Sequence, residues 1–332
     1  MPGSQVASLL LGISPTPLHR MPGLMSVFSD GPEVLVKRED LCGVAAGGCK
    51  VRKLRALLPE ARARHATVIL TTGFPQSNHC AMTAVAATMH GFRCEVFLRG
   101  PDPGTRTGNL LIEGLAGTAI TFVGESSDDD VDSRLTARMA ELRAAGEVPY
   151  LIPLGGSTPL GAAGYATAVP ELTGQLGTVT PTHLVTAAGS LGTMAGLILG
   201  VWAAGLDCEV HGYTVLWPES EALSRLDELL DAARREHFPA VTARRNYRVF
   251  GSQLGAGYGV PSPAAQEAAR LAAHGDGILL DQTYTAKAMA GLIQGIRDGS
   301  YRQGDRVVFF HTGGLAGLLA TDRPDGGGPQ AR

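Results

Sequence analysis

Gly47-Gly48-Cys49-Lys50-Val51-Arg52-Lys53-Leu54 is the stretch on which the reading of this chain turns, because two glycines deliver one lysine into the start of a helical pattern. The chain carries 28 Lys+Arg residues, yet only four are lysines: Lys37, Lys50, Lys53 and Lys287. Surface charge therefore rests on arginine, and each lysine invites the question why it is not one. Arginine stays protonated and forms no imine, whereas a buried lysine of lowered pKa does. Gly47-Gly48 lets the backbone bend closely round a ligand just before Lys50. Arg52, Lys53 and Arg55 read as a positive rim attractive to an anion. Lys50 is accordingly read as a covalent anchor. The plain alternative is a Gly-Gly turn opening a helix with a solvated basic face, and on this stretch alone that alternative is the stronger.

At 332 residues and 44% hydrophobic, the chain is long and apolar enough to bury a large core, as two domains or one large α/β unit. A formal net charge of −3, with no basic arm, argues against nucleic-acid and membrane-surface partners and leaves a small molecule. No apolar run approaches the roughly 20 residues of a membrane helix. The start, Met1-Pro2-Gly3-Ser4-Gln5, lacks the basic region of a secretory signal, so a cytoplasmic location is expected. Cys42, Cys49, Cys80, Cys94 and Cys208 are odd in number and contain no C-x-x-C pair, which speaks against a disulfide framework and a zinc site. The nine histidines are scattered singly, and no metal is expected.

Residues 1–20, with Ser14-Pro15-Thr16-Pro17-Leu18, read as a segment lying across the surface. Residues 33–40 alternate as a strand does, which makes Lys37 a strand-end charge paired with Glu39 or Asp40. A helix is expected from Lys50 to about Arg64. Beyond it, strand-like and helix-like periods alternate, predicting a parallel sheet covered on both faces. The strands expected are 67–73, 94–99, 119–123, 150–152, 182–187, 209–216, 278–281 and 306–310. Gln76-Ser77-Asn78-His79 lies between the first of these and an alanine-rich helix, where free N–H groups would suit a carboxylate; the ordinary reading is that Ser77 or Asn78 merely caps the helix. Residues 109–115 read as a helix, 126–132 as an acidic solvated loop or helix start, and 219–237 as a charged, mostly solvated helix. A domain crossover is placed near 150–157, before a helix at about 161–169.

The strand at 182–187 runs into Gly189-Ser190-Leu191-Gly192-Thr193-Met194-Ala195-Gly196, the best phosphate turn in the sequence. Its glycine spacing does not match G-x-G-x-x-G, and no Gly-Lys-Ser/Thr follows, so a lone phosphate monoester fits better than a dinucleotide and a nicotinamide oxidoreductase is a poor rival. Tyr258, in a glycine loop, and Tyr284, before a helix, are presented near strand ends. Strand C-terminal ends are where open parallel sheets bind ligands. Singly each feature has an ordinary explanation. Jointly they describe a phosphorylated aldehyde held by imine and phosphate, with an amino-acid carboxylate beside it.

Seven blocks now carry a resemblance: Thr16-Pro17-Leu18, Lys37-Arg38-Glu39-Asp40, the Gly47 to Leu54 stretch, Gln76-Ser77-Asn78-His79, Gly189-Ser190-Leu191-Gly192-Thr193, Tyr284-Thr285-Ala286-Lys287-Ala288-Met289 and His311-Thr312-Gly313-Gly314. In this order, over residues 14–318, the chain resembles the fold-type II pyridoxal-phosphate family of 1-aminocyclopropane-1-carboxylate deaminases, D-cysteine desulfhydrases and L-cysteate sulfo-lyases. The resemblance implies a tryptophan synthase β-like α/β fold with two open, twisted, mostly parallel sheets flanked by helices. The domains expected are a large cofactor-binding one of residues 1–53 and 161–320 and a small inserted one of 54–160, followed by a disordered tail, 321–332. The family implies a homodimer and pyridoxal 5'-phosphate as cofactor.

By the same resemblance Lys50 is the Schiff-base lysine, Gly189, Ser190, Leu191, Gly192 and Thr193 hold the phosphate, and Thr312 lies near the pyridine nitrogen. Ser77, Asn78 and His79 lie at the substrate carboxylate, Tyr258 and Tyr284 flank the substrate, and catalysis falls to Lys50, Ser77, Tyr258 and Tyr284. Three departures bear on the substrate. Cys49 stands at the cofactor ring where the family usually has asparagine. Thr285 stands where the deaminases carry glutamate and matches the desulfhydrases, and Cys80 and Met82 replace polar and basic neighbours. The leading expectation is α,β-elimination on a small β-substituted amino acid, giving pyruvate, ammonia and the leaving group. Alternatives are deamination of 1-aminocyclopropane-1-carboxylate, and a cofactor-binding homologue without turnover.

Overall fold

The computed structural model describes residues 11–320. The alternation of apolar runs and helical periods resolves into ten strands: β1 (Leu18–Arg20), β2 (Glu33–Arg38), β3 (Val68–Gly73), β4 (Arg93–Leu98), β5 (Ala119–Phe122), β6 (Pro149–Ile152), β7 (His183–Ala188), β8 (Glu209–Thr214), β9 (Tyr247–Phe250) and β10 (Arg306–His311). They form two sheets, one ordered β1-β2-β10-β7-β8-β9 and one ordered β5-β4-β3-β6. Every pairing is parallel except β1 with β2. The four-stranded sheet comes from one continuous stretch, residues 68–152, and the larger sheet from the chain on either side of it.

The inner strands are buried along most of their length and send apolar residues to both sides, because both faces are covered. In β10, Val308 and Phe310 enter one core while Val307 and Phe309 enter the other; in β2, Leu35 opposes Val34 and Val36. Helices Gly192–Ala203 and Glu219–His237 cover the first face, and Pro263–Asp276 and Thr285–Arg297 the second. The smaller sheet is sandwiched in the same way between two apolar clusters. Since parallel strands all point one way, β3, β7 and β10 end together, and the loops after Gly73, Ala188 and His311 line one cleft.

Several expectations needed correction. Lys37 is not a strand-end charge: it is sealed from solvent, and its Nζ reaches Glu171 Oε1 at 2.5 Å, Gln175 Oε1 at 2.6 Å and Thr16 O at 2.6 Å. Arg52 is no solvated rim either, because it is buried between Glu39 (2.7 Å) and Glu171 (2.7 Å). Two cations and two carboxylates thus balance inside the protein, as buried charges must. Burial pushes the Glu171 carboxyl up, but hydrogen bonds from Arg52, Lys37 and Ser14 outweigh that and hold it below the usual carboxylate range.

Residues 278–281 join no sheet. The Asp281 carboxylate instead accepts from the N–H groups of Thr283, Tyr284 and Thr285, a side-chain-to-backbone arrangement that competes with ladder pairing. Strands β1 and β9 were not anticipated. The acidic run opens the helix Asp128–Ala144 through a Ser127/Asp130 capping box, and the helix expected at 161–169 is two, Pro159–Ala166 and Ala168–Leu176. The expected tail and residues 1–10 of the leading segment lie outside the described residues.

Candidate active site

Gly47 and Gly48 take φ of +79° and +142°, and a Cβ on Gly48 would sit 2.9 Å from Thr312 O. The glycine pair is thereby laid against the end of β10: Gly48 bridges Gly313, and Cys49 N–H donates to Thr312 O at 3.1 Å. This docking fixes where the helix Lys50–Ala63 begins, and it turns the Lys50 side chain into a pocket between the two sheets. Among the described residues Lys50 Nζ has one hydrogen-bond partner, Cys49 Sγ at 3.4 Å, and Cys49 Sγ accepts from Thr193 Oγ1 at 3.3 Å.

Behind Lys50, one helical turn on, stands Lys53. It is sealed from solvent, and among the described residues its Nζ bonds only neutral groups, Gly155 O at 3.0 Å and Ser157 Oγ at 3.4 Å. Burial and then the neighbouring Lys50 push its pKa well below the usual lysine value. A buried ammonium without a counter-ion is costly unless an anion comes to it. The neighbouring turn is built for one. Leu191 adopts a left-handed φ of 68°, so the helix Gly192–Ala203 starts without a side-chain cap. Ser157 Oγ donates to Ser190 Oγ (2.8 Å) and accepts from Gly192 N–H (3.1 Å). A Cβ on Gly192 would lie 2.8 Å from Lys53 Nζ, which puts the cation directly against this turn. No carboxylate is among the described residues lining the pocket. An uncapped helix start, hydroxyls and two lysines fit a phosphate group.

The opposite wall comes from the end of β3. Ser77 caps the helix Asn78–Met89 by accepting from Cys80 N–H at 3.3 Å. The Asn78 and His79 N–H groups have no acceptor among the described residues, and Asn109 Nδ2 donates to Asn78 Oδ1 at 2.8 Å, which orients that amide. His79 itself is buried. Thr71 Oγ1 spends its proton on Ile152 O (2.7 Å), so His79 Nε2–H donates to Thr71 (2.7 Å) and the ring is a neutral strut. Burial, then Lys50 and Lys53, hold its pKa well below the ordinary histidine value.

The two tyrosines close the remaining side. Tyr258 and Tyr284 hydroxyls hydrogen-bond each other, their rings meeting edge to face at 5.7 Å, and Tyr258 also packs on Phe74 at 4.4 Å. Gly189 leaves Tyr284 its room, since a Cβ there would be 3.2 Å from Tyr284 Cε1. Burial raises the pKa of both phenols, so both keep their protons at neutral pH. Lys287 ties this wall together. Sealed from solvent one turn along the helix that follows Tyr284, it donates to Leu254 O (2.9 Å) and Gly257 O (2.8 Å) in the Tyr258 loop.

Of the residues singled out from the sequence, Cys49, Lys50, Ser77, Asn78, His79, Gly189, Ser190, Leu191, Thr193, Tyr258, Tyr284 and Thr312 line this one pocket, with Gly192 just behind. Phe74, Leu154, Gly155, Ala187 and Leu216 line it without having been foreseen. Ser157 and Lys287 support it from outside. Gly155-Gly156-Ser157 lies in the stretch 150–157, where the sequence suggests only a domain crossover.

The sequence pattern of the family described as pyridoxal-phosphate dependent enzyme matches residues 9–313. The D-cysteine desulfhydrase of Salmonella choleraesuis (strain SC-B67) is 37% identical over 313 residues, 92% of this chain and 94% of that one. The D-cysteine desulfhydrase of Salmonella paratyphi C (strain RKS4594) is 36% identical over the same shares. A crystal structure described as an ACC deaminase homologue superposes with a TM-score of 0.84 at 31% identity, covering 93% of this chain and 92% of that one.

Proposed function

From the premise that this chain belongs to the pyridoxal-phosphate dependent enzymes, we propose that it is a lyase that eliminates the β substituent of a small amino acid. The observation that carries the reading is Lys50 in a pocket with no carboxylate among its described lining residues, opposite the N–H groups of Asn78 and His79, with Lys53 buried behind the wall at Gly155. The cofactor is pyridoxal 5'-phosphate. When bound, it supplies an aldehyde that takes up an amine and a ring that withdraws electron density from the substrate Cα. Lys53, Ser157, Ser190 and the turn from Gly189 to Thr193 hold its phosphate; Lys50 is its covalent partner, with Cys49 and Thr312 at the ring.

The rest is the work of this chain's own side chains. The N–H groups of Asn78 and His79, with Ser77, take the substrate carboxylate at a helix N-terminus. Lys50 Nζ, held beside the substrate, would take the proton from Cα as general base. The Tyr258–Tyr284 pair, protonated because it is buried, gives a proton to the departing β group. Water then completes the conversion to pyruvate and ammonia. Phe74 and Leu216 limit water on the open side. Similarity to the desulfhydrases, and Thr285 in place of glutamate, support D-cysteine or a related β-substituted alanine as substrate. A second reading, opening of 1-aminocyclopropane-1-carboxylate, is favoured by the likeness to the ACC deaminase homologue.

We further infer a homodimer, which the resemblance implies, with one lobe around each sheet and the division at residues 1–53 with 161–320 and 54–160. A cytoplasmic setting is supported by five cysteines that are all free and buried. No helix among the described residues is long and apolar enough to cross a membrane. The test is an assay of pyruvate and ammonia with D- and L-cysteine, β-chloroalanines, cysteate and 1-aminocyclopropane-1-carboxylate. Pyruvate with a stoichiometric leaving group from a β-substituted alanine supports the elimination. 2-Oxobutyrate from the cyclopropane substrate alone would replace it with the second reading.

A further inference from the structure

His183 and Glu209 open β7 and β8, at the edge of the large sheet opposite the reaction pocket. Parallel pairing sets them directly across from each other, and His211, two residues on along β8, projects from the same face. In sequence the three are spread over 28 positions and show no metal-ligand spacing. The register brings them together, so that one ligand atom from each lies within 4.8 Å of the other two.

The outer nitrogens of both rings are already engaged. Thr182 Oγ1 donates its proton to Arg306 O at 3.1 Å, so at 2.8 Å from His183 Nδ1 it can only accept. His183 is thereby fixed as the Nδ1–H tautomer. Its Nε2 lone pair has no hydrogen-bond partner among the described residues, and the residue is only partly buried. His211 Nδ1 is 2.7 Å from Tyr301 Oη, and its Nε2 is 2.8 Å from Glu209 Oε2. A hydroxyl behind each imidazole is the outer arrangement that aims metal-binding histidines. The Glu209 side chain is 50% exposed, which leaves an access route and a free rotamer. The nearest opposing charge, Arg248, turns its guanidinium over the Phe250 ring at 5.0 Å.

We propose that His183, Glu209 and His211 form a site for one divalent transition-metal ion of the zinc class, tying β7 to β8 and separate from the reaction pocket. Two imidazoles and one carboxylate are a zinc donor set, with water as fourth ligand. Ligand atoms at ~2.0–2.1 Å from a tetrahedral ion stand about 3.4 Å apart, so the Glu209–His211 pair opens from 2.8 Å while His183 adjusts from within 4.8 Å. The ion replaces the proton on His211 Nε2; that proton is taken up at Nδ1, which then donates to Tyr301, while the Tyr301 hydroxyl turns to Tyr213 Oη, 3.3 Å away.

The test uses the holoenzyme stripped with a chelator and dialysed against Zn²⁺ or Co²⁺, beside His183→Gln and Glu209→Gln. His211 is left intact because it is buried against Tyr301. Wild type should take up one ion per chain and, with Co²⁺, show the visible bands of a tetrahedral nitrogen and oxygen site. Each variant should bind at least about tenfold more weakly, with cofactor absorbance and pyruvate formation unchanged. Wild type that takes up no ion, or His183→Gln that binds as wild type does, would overturn the proposal.

Discussion

Replacing Lys53 by methionine should move cofactor affinity and apoprotein stability in opposite directions. The side chains are of similar length, so the change is mainly loss of one ammonium whose Nζ lies 3.0 Å from Gly155 O and 3.4 Å from Ser157 Oγ, with no carboxylate near. At ~4 Å and an effective dielectric constant of about 20, one phosphate charge attracts it by about 4 kcal/mol before desolvation. Charge-assisted hydrogen bonds measured in proteins return about 1.5–3 kcal/mol net, so Lys53→Met should bind pyridoxal phosphate roughly 10- to 150-fold more weakly. In the apoprotein the same ammonium is desolvated without compensation, and its removal should stabilise. The folded-state pKa is depressed, so the unfolded chain binds more protons and apoprotein stability should rise with pH up to the ordinary lysine value of 10.5. The wild-type minus variant difference, taken between pH 7 and 9, isolates that slope from the titration of cysteines and tyrosines. Cofactor titration by absorbance and urea denaturation of both apoproteins are the assays. Unchanged cofactor affinity, or an apoprotein less stable than wild type, would refute Lys53 as the phosphate's buried counter-charge.

Lys287→Met should leave cofactor absorbance intact but lower kcat/KM by about 10- to 100-fold, because two hydrogen bonds from a charged donor hold the Tyr258 loop; steady-state kinetics with Tyr258→Phe as reference show whether the two losses are shared. Tyr284→Phe should lower kcat by about 10²- to 10⁴-fold if its phenol supplies the leaving-group proton, with the least loss for a chloride leaving group, which needs no proton. Glu113 is buried and its carboxylate oxygens have no hydrogen-bond partner among the described residues; burial raises its pKa to about 8. Its folded pKa exceeds the unfolded 4.5, so its contribution is full below pH 4.5 and is lost as pH rises to about 8, by at most about 1.4 kcal/mol per pH unit. Glu113→Gln should therefore unfold at higher urea than wild type at pH 8, and the pH dependence of stability over that window should flatten.

Much of the fold was legible because strands buried on both faces, such as Val68–Gly73 and Arg306–His311, carry the apolar runs Val68-Ile69-Leu70 and Val307-Val308-Phe309-Phe310. The four residues of β9 (Tyr247–Phe250) form an edge strand with one exposed face, and Leu18–Arg20 pairs only with β2, so neither leaves a periodic trace. Ile278 to Asp281 looks like a strand by composition, and only the cap that Asp281 makes for Thr285–Arg297 explains why it is not one. The site was legible where chemistry demands unusual residues at strand ends. Lys50 was found through the scarcity of lysine, and the same scarcity held more than was drawn from it. Lys37, Lys53 and Lys287 are all sealed from solvent, each meeting a carbonyl oxygen. Those carbonyls lie 21 to 102 residues away, which no local pattern encodes.

The measurement that tests the central claim most directly is borohydride reduction of the holoenzyme followed by peptide mapping, with Lys50→Ala alongside. The account predicts that the visible absorbance of the bound cofactor disappears on reduction and that one reduced pyridoxyl-phosphate group is found on the peptide containing Lys50, and on no other. A label on Lys53 or elsewhere, or cofactor retained as firmly by Lys50→Ala with unchanged absorbance, would contradict it.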